Sequence, residues 1–481
     1  MLKLVEAVIA LGLAAAVVAL FVRWEREGKE QLVPLVLLGL LVVEATIYAD
    51  DNTLPRSIFH PGSGSAQLRL PEIYITLALV ARLIARGKPT RIGLPAGLWL
   101  AFAAWLAVGA VEGRLYHNAL SQDLFEAKDI LYIVGAYALA AGVPLRRYFD
   151  RGDLFKLGSL CVACASLLDV MTIAHIGLNT NLPLLPLQNF GLDGSGAAAL
   201  FVAIGTMCFL TRLASGTVRV RHVVALVPLI AAVVLADQRA VLVNLGAVVL
   251  VLLLVLLVGH RQSVGQSLHV KSGQVVVTLL AVVAVGIVVV VVPAAADRQP
   301  ARIPLASTFE NLFHGGAKAE SAQDRLNLAS EAEALIPQHL VIGWGLGVEL
   351  QYYETGSRSV KTIAYAHNIV LDLWLRVGLI GLLLFVFALW ASVADGLKVW
   401  RRHTDPVTAA LALALVAVLA GLLATAFIEP LLDEYRLATL FGVSIGMLRA
   451  TVTSMDVTSR LPTWRGEVNR LRPAAGGVPW T

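Results

Sequence analysis

Residues 222–258 read HVVALVPLIAAVVLADQRAVLVNLGAVVLVLLLVLLV, an apolar run broken near its middle by Asp237-Gln238-Arg239. As one helix, at 1.5 Å per residue, the run would be roughly 55 Å long, nearly twice the hydrocarbon thickness of a bilayer. It reads better as two short spans that turn at 237–239, which leaves the three polar residues at an interface instead of in lipid. A chain built from such pairs is an all-α polytopic membrane protein.

Composition agrees. Of 481 residues, 58% are hydrophobic and 15% charged, with a mean hydropathy of +0.76, well on the apolar side of a soluble domain. The excess lies in runs of about 20 residues, the length a membrane-spanning helix needs. About 12–13 transmembrane helices are expected, at 4–22, 31–49, 70–86, 92–111, 128–144, 154–176, 197–211, 222–237, 240–258, 274–293, 378–395, 407–428 and 435–449. The first run resembles a secretory signal, but Arg23-Trp24-Glu25-Arg26 follows it as a stop and no small-residue cleavage site precedes it, so it reads as a retained anchor.

The net charge of +5 does not point to nucleic acid; where the charges fall is the informative part. Of the 38 Lys and Arg, 24 lie in one set of segments: 23–30, 82–91, 146–156, 212–221, 261–271, 398–402 and the tail from 449. Cytoplasmic loops carry that excess, so this set is expected inside and the opposite loops outside. With thirteen spans the N-terminus is outside and the tail inside; an even count would move one terminus only.

Four segments then face outward: 50–69, 112–127, 177–196 and the long one from 294 to about 368. The expected organisation is ten spans over 1–293, a long outer-face loop with amphipathic helices over 294–377, C-terminal spans over 378–449, and a flexible cytoplasmic tail over 450–481. In the long loop, Ser321-Ala322-Gln323-Asp324 has the form of a capping box. Leu326, Ala329, Ala332, Leu335 and Ile336 follow at helical spacing until Pro337. After Gly343-Trp344-Gly345-Leu346-Gly347, a second amphipathic helix is expected from Asn368 into the span at 378.

Three residues on this face carry chemistry. Arg239 closes a turn between two spans, where an Arg faces a cavity or pathway or else snorkels to lipid phosphate. Arg325 sits in the expected loop helix, as a ligand to an anion or as a solvated charge. His367 precedes the helix starting at Asn368, whose positive dipole end favours a neutral imidazole, a base or simply a capping His. As a set they say more than singly. Two guanidiniums can hold a diphosphate, and a neutral His beside them can take a proton from a hydroxyl nucleophile. No Asp-x-Asp in the outer loops suggests a metal.

The motif Ala366-His367-Asn368-Ile369-Val370-Leu371, followed by Arg376 and Gly378-Leu379-Ile380-Gly381-Leu382, resembles the signature of the O-antigen ligase and polymerase superfamily. Asp324-Arg325 with Ile342-Gly343-Trp344-Gly345-Leu346-Gly347 resembles that family's Arg helix and glycine turn. Gln238-Arg239-Ala240 resembles its Ser-Arg-Gly/Ala step, with Gln238 in place of Ser. The motifs cover about 222–390. The resemblance implies a GT-C-like, metal-independent, inverting glycosyltransferase of the bacterial inner membrane, acting at its periplasmic face without a cofactor. Its donor would be a polyprenyl (undecaprenyl) diphosphate-linked glycan and its acceptor a lipid or glycan hydroxyl. Carried over, Arg239 and Arg325 bind diphosphate and His367 is the base or the group that orients the acceptor, with Asn368 and Gln238 in support.

Glu429, Asp433, Glu434 and Arg436 cluster at an outer turn, which either orients His367, receives an acceptor or is simply a solvated acidic turn. Lys128 and Arg114 are further phosphate candidates. Glu44 and Asp169 lie within spans and, with Arg239, would be the pathway charges of a transporter or flippase, the competing class. A polymerase of the same superfamily is the nearer alternative. Cys161 and Cys164 have the spacing of a metal pair but lack a second pair, and read as small apolar side chains.

Overall fold

In lipid the backbone must satisfy its own hydrogen bonds, and the apolar runs of this chain do so as helices. The computed structural model describes residues 2–47, 69–86, 94–143, 146–150, 152–178, 195–215, 217–235, 243–251, 317–355, 358–402, 405–428 and 434–460. The first helices are α1 (Leu2–Arg26), α2 (Leu32–Ile47), α3 (Leu70–Arg86) and α4 (Leu94–Leu115). Next, α5 (Leu120–Ile130) runs through a π-helical turn (Leu131–Gly135) into α6 (Ala136–Ala141). Then come α7 (Arg146–Asp150), α8 (Asp153–Leu178), α9 (Ser195–Ala214), α10 (Val220–Val224), α11 (Leu226–Leu235) and α12 (residues 243–251). After residue 316 the chain forms α13 (Ala317–Leu335), a 3₁₀ turn (Ile336–His339), and strands β1 (Leu350–Glu354) and β2 (Ser359–Ile363). It closes with α14 (Ile369–Arg402), α15 (Pro406–Ala426) and α16 (Tyr435–Arg460).

This is an all-α polytopic membrane protein with a small hairpin added. Among the described helices, α4, α14 and α15 are both long and apolar enough to cross a membrane. Asp405 caps α15 by accepting from the amides of Val407 and Thr408, and Pro406 supplies its first residue. The core between α4, α14 and α16 is aromatic. Trp99 meets Phe385 and Phe441 edge-on at 5.8 and 5.9 Å, and its indole N–H donates to the Ser392 hydroxyl at 3.1 Å.

Cations of the Lys/Arg-rich segments form ion pairs at one end of the bundle. Glu25 pairs with Arg82 at 2.8 Å and Arg86 at 2.7 Å, Arg147 pairs with Glu30, and Arg449 lies 3.5 Å from Asp395. Those cations come from three of the Lys/Arg-rich segments, and a fourth, 23–30, supplies the carboxylates Glu25 and Glu30. The long loop crosses the other end. There a second small core of Leu328, Ala332, Ile336, Val348, Leu350, Ala366 and Leu375 lies beneath it.

Several boundaries differ from the sequence expectation. The helix placed at Ser321 is already formed at Ala317, so Arg325 sits in its middle and not in its first turn. Asp324 caps nothing in its own helix; its carboxylate accepts the Thr355 amide at 2.7 Å. The antiparallel β1–β2 pair was not anticipated, because strands of five residues with one fully uncovered face carry no clean alternation. The helix assigned to 128–144 begins at Leu120, and the tail expected to be flexible from 450 is helical to Arg460, since nothing breaks it before Pro462. The expected span at 274–293 lies outside the described residues. The three cysteines are free thiols, and Cys208 donates to the Leu154 carbonyl.

Candidate functional site

The site is assembled where a turn of the long loop is inserted into a break in a membrane helix. Inside α14, Gly378 has φ 65° and ψ −173°, so the helical hydrogen-bond ladder stops there. The loop replaces it. The amides of Leu379 and Ile380 donate to the carbonyls of Leu340 and Val341 at 3.0 and 3.3 Å. The carbonyls of Leu375 and Arg376 accept from the amides of Trp344 and Gly345 at 2.8 and 2.9 Å, and the Trp105 indole takes the Val377 carbonyl at 2.8 Å. Buried backbone groups are rarely left unpaired, and here a loop more than thirty residues away pairs them.

Glycine makes the insertion possible. Gly343, Gly345 and Gly347 all have positive φ, and a Cβ on Gly345 would lie 2.0 Å from the Gly113 amide of α4. The turn also bonds to α4 directly, Leu346 N–H to the Gly109 carbonyl at 2.9 Å. The Gly-x-Gly-x-Gly motif is therefore a backbone-on-backbone crossing.

Beneath the turn lies a buried charge cluster. Arg376 is 2% exposed, 3.1 Å from Asp372 and 3.5 Å from Glu126. Its guanidinium donates to the Ala364 carbonyl at 2.7 Å, Asp372 accepts the Ala366 amide at 2.9 Å, and Glu126 accepts the Gly347 amide at 2.8 Å. The three side chains thus fix both the residues just before His367 and the end of the glycine turn. Asp372 and Arg376 have the i, i+4 spacing of a helical ion pair, a signal the sequence does contain. Glu126 carries no such signal, because its partner amide is 221 residues away.

His367 stands at the mouth of this assembly. Asn368 caps the following helix, its side-chain carbonyl accepting from the amides of Val370 and Leu371 at 2.9 and 3.4 Å. Tyr365 meets the His367 ring edge-on, with centroids 5.2 Å apart. Burial, and secondarily the charge of Arg325, hold the imidazole at a pKa of about 4. The sequence expected a neutral His from the helix dipole; the causes that lower its pKa here are desolvation and the guanidinium. Arg325 reaches across from α13 to donate to the Ile428 carbonyl, just past the end of α15, at 2.9 Å.

Of the residues singled out in the sequence, the structure brings His367, Asn368 and Arg325 together. Arg239, Gln238, Glu429 and Asp433 lie outside the described residues. Glu434 is 3.6 Å from Arg436 at the start of α16. Lys128 pairs with Glu72 at 3.4 Å, Arg114 lies 3.6 Å from Asp123, and Glu44 accepts the Tyr435 hydroxyl. These groups gather at the loop end of the bundle. Asp169 is buried within α8.

Residues 224–386 match the family model described as O-antigen ligase. Over those residues, about a third of its length, the chain is similar to the O-antigen ligase/polymerase superfamily. No curated protein matches the chain. The matched region contains Arg325, the glycine turn, His367 and the break at Gly378, whereas Glu126 of the buried cluster precedes it. The family supports a glycosyltransferase-type enzyme acting in a membrane on a lipid-linked glycan.

Proposed function

We propose that the protein moves a glycan from a polyprenyl diphosphate carrier to an acceptor hydroxyl, at the periplasmic face of a bacterial inner membrane. The observation that carries this reading is a half-buried His367 of lowered pKa beside Arg325, within the region that matches the ligase family. The acceptor oxygen attacks the anomeric carbon and gives its proton to His367. The bond from that carbon to the diphosphate oxygen breaks on the opposite side, so the configuration inverts and the carrier leaves as its diphosphate. Arg325, with Arg239 as its expected partner, stabilises the charge growing on the leaving group. Guanidinium charge alone suffices for that task, so the step drawn requires no metal or cofactor.

Arg325 has a double role in this scheme. In the free enzyme it disfavours the imidazolium; once a diphosphate neutralises it, His367 becomes a stronger base when the donor is in place. The description of the matched family favours a ligase, in which donor and acceptor are different molecules, over a polymerase.

The test is transfer by reconstituted protein given a lipid-diphosphate glycan and a separately labelled acceptor. Label should appear on the second molecule; products built only from donor units would indicate the polymerase. In the same assay kcat/KM should stay flat down to about pH 5 and fall through about pH 4, as His367 takes up its proton. Arg325→Ala should move that acidic limb upward, toward the ordinary imidazole range. A limb near 6.5 in the wild-type protein would exclude His367, in this environment, as the base.

A further inference from the structure

The turn that fills the break in α14 exposes three consecutive large apolar side chains: Leu340 (44%), Val341 (50%) and Ile342 (41%). A run of that kind on a water-facing loop is a liability unless something covers it. Its depth is fixed by the same hydrogen bonds that mend the helix. Leu340 and Val341 are bonded to Leu379 and Ile380, the first residues of α14 beyond its break. From that point α14 presents Ile380, Leu383, Phe387 and Trp390 outward at helical spacing, all exposed in the isolated chain. On α4, which packs along α14, Val108, Val111 and Leu115 are likewise exposed. The turn therefore continues an apolar surface that belongs to two membrane-crossing helices.

The polar groups around it suit a headgroup boundary. The Trp374 indole N–H donates to the Leu340 carbonyl at 3.1 Å and that of Trp344 to the Leu335 carbonyl at 3.0 Å. Indoles with one wet and one apolar edge favour this level of a bilayer. Arg114, half exposed at the end of α4, has its guanidinium free to reach lipid phosphate beyond its contacts with Asn118 and Asp123.

We propose that Leu340-Val341-Ile342 is immersed in the bilayer leaflet on the His367 side. The loop that carries His367 would then rest on lipid and be held at the level of the membrane surface. This inference rests on the membrane-spanning assignment of α4 and α14, not on the transferase reading, so either can fail alone. The occupant is lipid and not a second copy of the chain, because the surface is continuous with the lipid-facing sides of both helices.

The test is a nitroxide on Val341→Cys in the full-length protein, with Cys161, Cys164 and Cys208 replaced by Ala, in phosphatidylcholine–phosphatidylglycerol nanodiscs. Collision with oxygen should exceed collision with a water-soluble nickel chelate, as for a label at Phe387→Cys. The order should reverse at Lys361→Cys on the exposed β2. Nickel access at Val341 equal to that at Lys361 would overturn the proposal. So would low access to both reagents, with dipolar broadening pointing to a second copy and its absence pointing to burial within the chain. Val341 exchanged for Cys on an exposed turn is expected to fold, and size-exclusion behaviour equal to wild type verifies it.

Discussion

Gly378→Ala is expected to yield little folded protein. The φ of 65° with ψ near 180° is a region essentially reserved for glycine, and forcing another residue into it costs roughly 1–3 kcal/mol. A Cβ there would also lie 2.2 Å from the Val341 carbonyl oxygen and 2.4 Å from two carbonyl carbons of the turn. None of these is a flexible side-chain end, so the turn would have to leave the break. That would release the paired amides of Leu379 and Ile380, the carbonyls of Leu375 and Arg376, and the link to α4 together. Each buried polar group left without a partner adds about 1–3 kcal/mol. Fluorescence-detected size exclusion of detergent extracts should show the monodisperse peak lost for this variant. Gly12→Ala, where an added Cβ meets nothing within 4 Å, should keep it.

Arg376→Met is expected to destabilise by a comparable amount through electrostatics. It would leave Glu126 and Asp372, 2% and 3% exposed, facing one another without the guanidinium between them. Removing one member of a buried charge cluster costs about 3–5 kcal/mol, because the remaining charges stay buried. The Ala364 carbonyl would lose its donor as well. Thermal unfolding in detergent should show a large drop in midpoint, and adding Glu126→Gln to the Arg376→Met protein should recover part of it. A double variant no better than the single one would show that the cluster acts through shape and not charge.

His367 makes stability depend on pH as well. Its folded pKa lies below the value of an unfolded chain, so on acidification the unfolded state binds the proton first. Stability therefore falls as pH drops from about 6.5 toward the folded value of about 4.

The membrane architecture was legible in the sequence because apolar runs and Lys/Arg placement are local quantities. The cations Arg82, Arg86, Arg147 and Arg449 do form ion pairs at one end of the bundle, the first three with Glu25 and Glu30 of segment 23–30. Arg325, His367 and Asn368 were legible through their motif, and Asn368 as a cap through residue type. The break at Gly378 was not. A span interrupted by a distant loop has the same hydropathy as an intact one, and the glycines on both sides announce only that backbones approach closely. Glu126 was invisible for a similar reason: its role depends on Gly347 and Arg376, both more than two hundred residues away. The cause of the low His367 pKa was out of reach too, since burial is a property of packing.

The most direct measurement compares glycan transfer by wild type, His367→Ala and Arg325→Ala in nanodiscs, at equal folded yield and with the same lipid-diphosphate donor. Loss of a positioned base is expected to lower the rate by roughly 10²–10⁴. Loss of charge stabilisation at the leaving group should cost about 10²–10³. Thermal midpoints of both variants should stay near wild type, and Arg325→Lys should restore little, because a single ammonium does not reproduce a bidentate guanidinium. Wild-type rates in both alanine variants would contradict the assignment of this site.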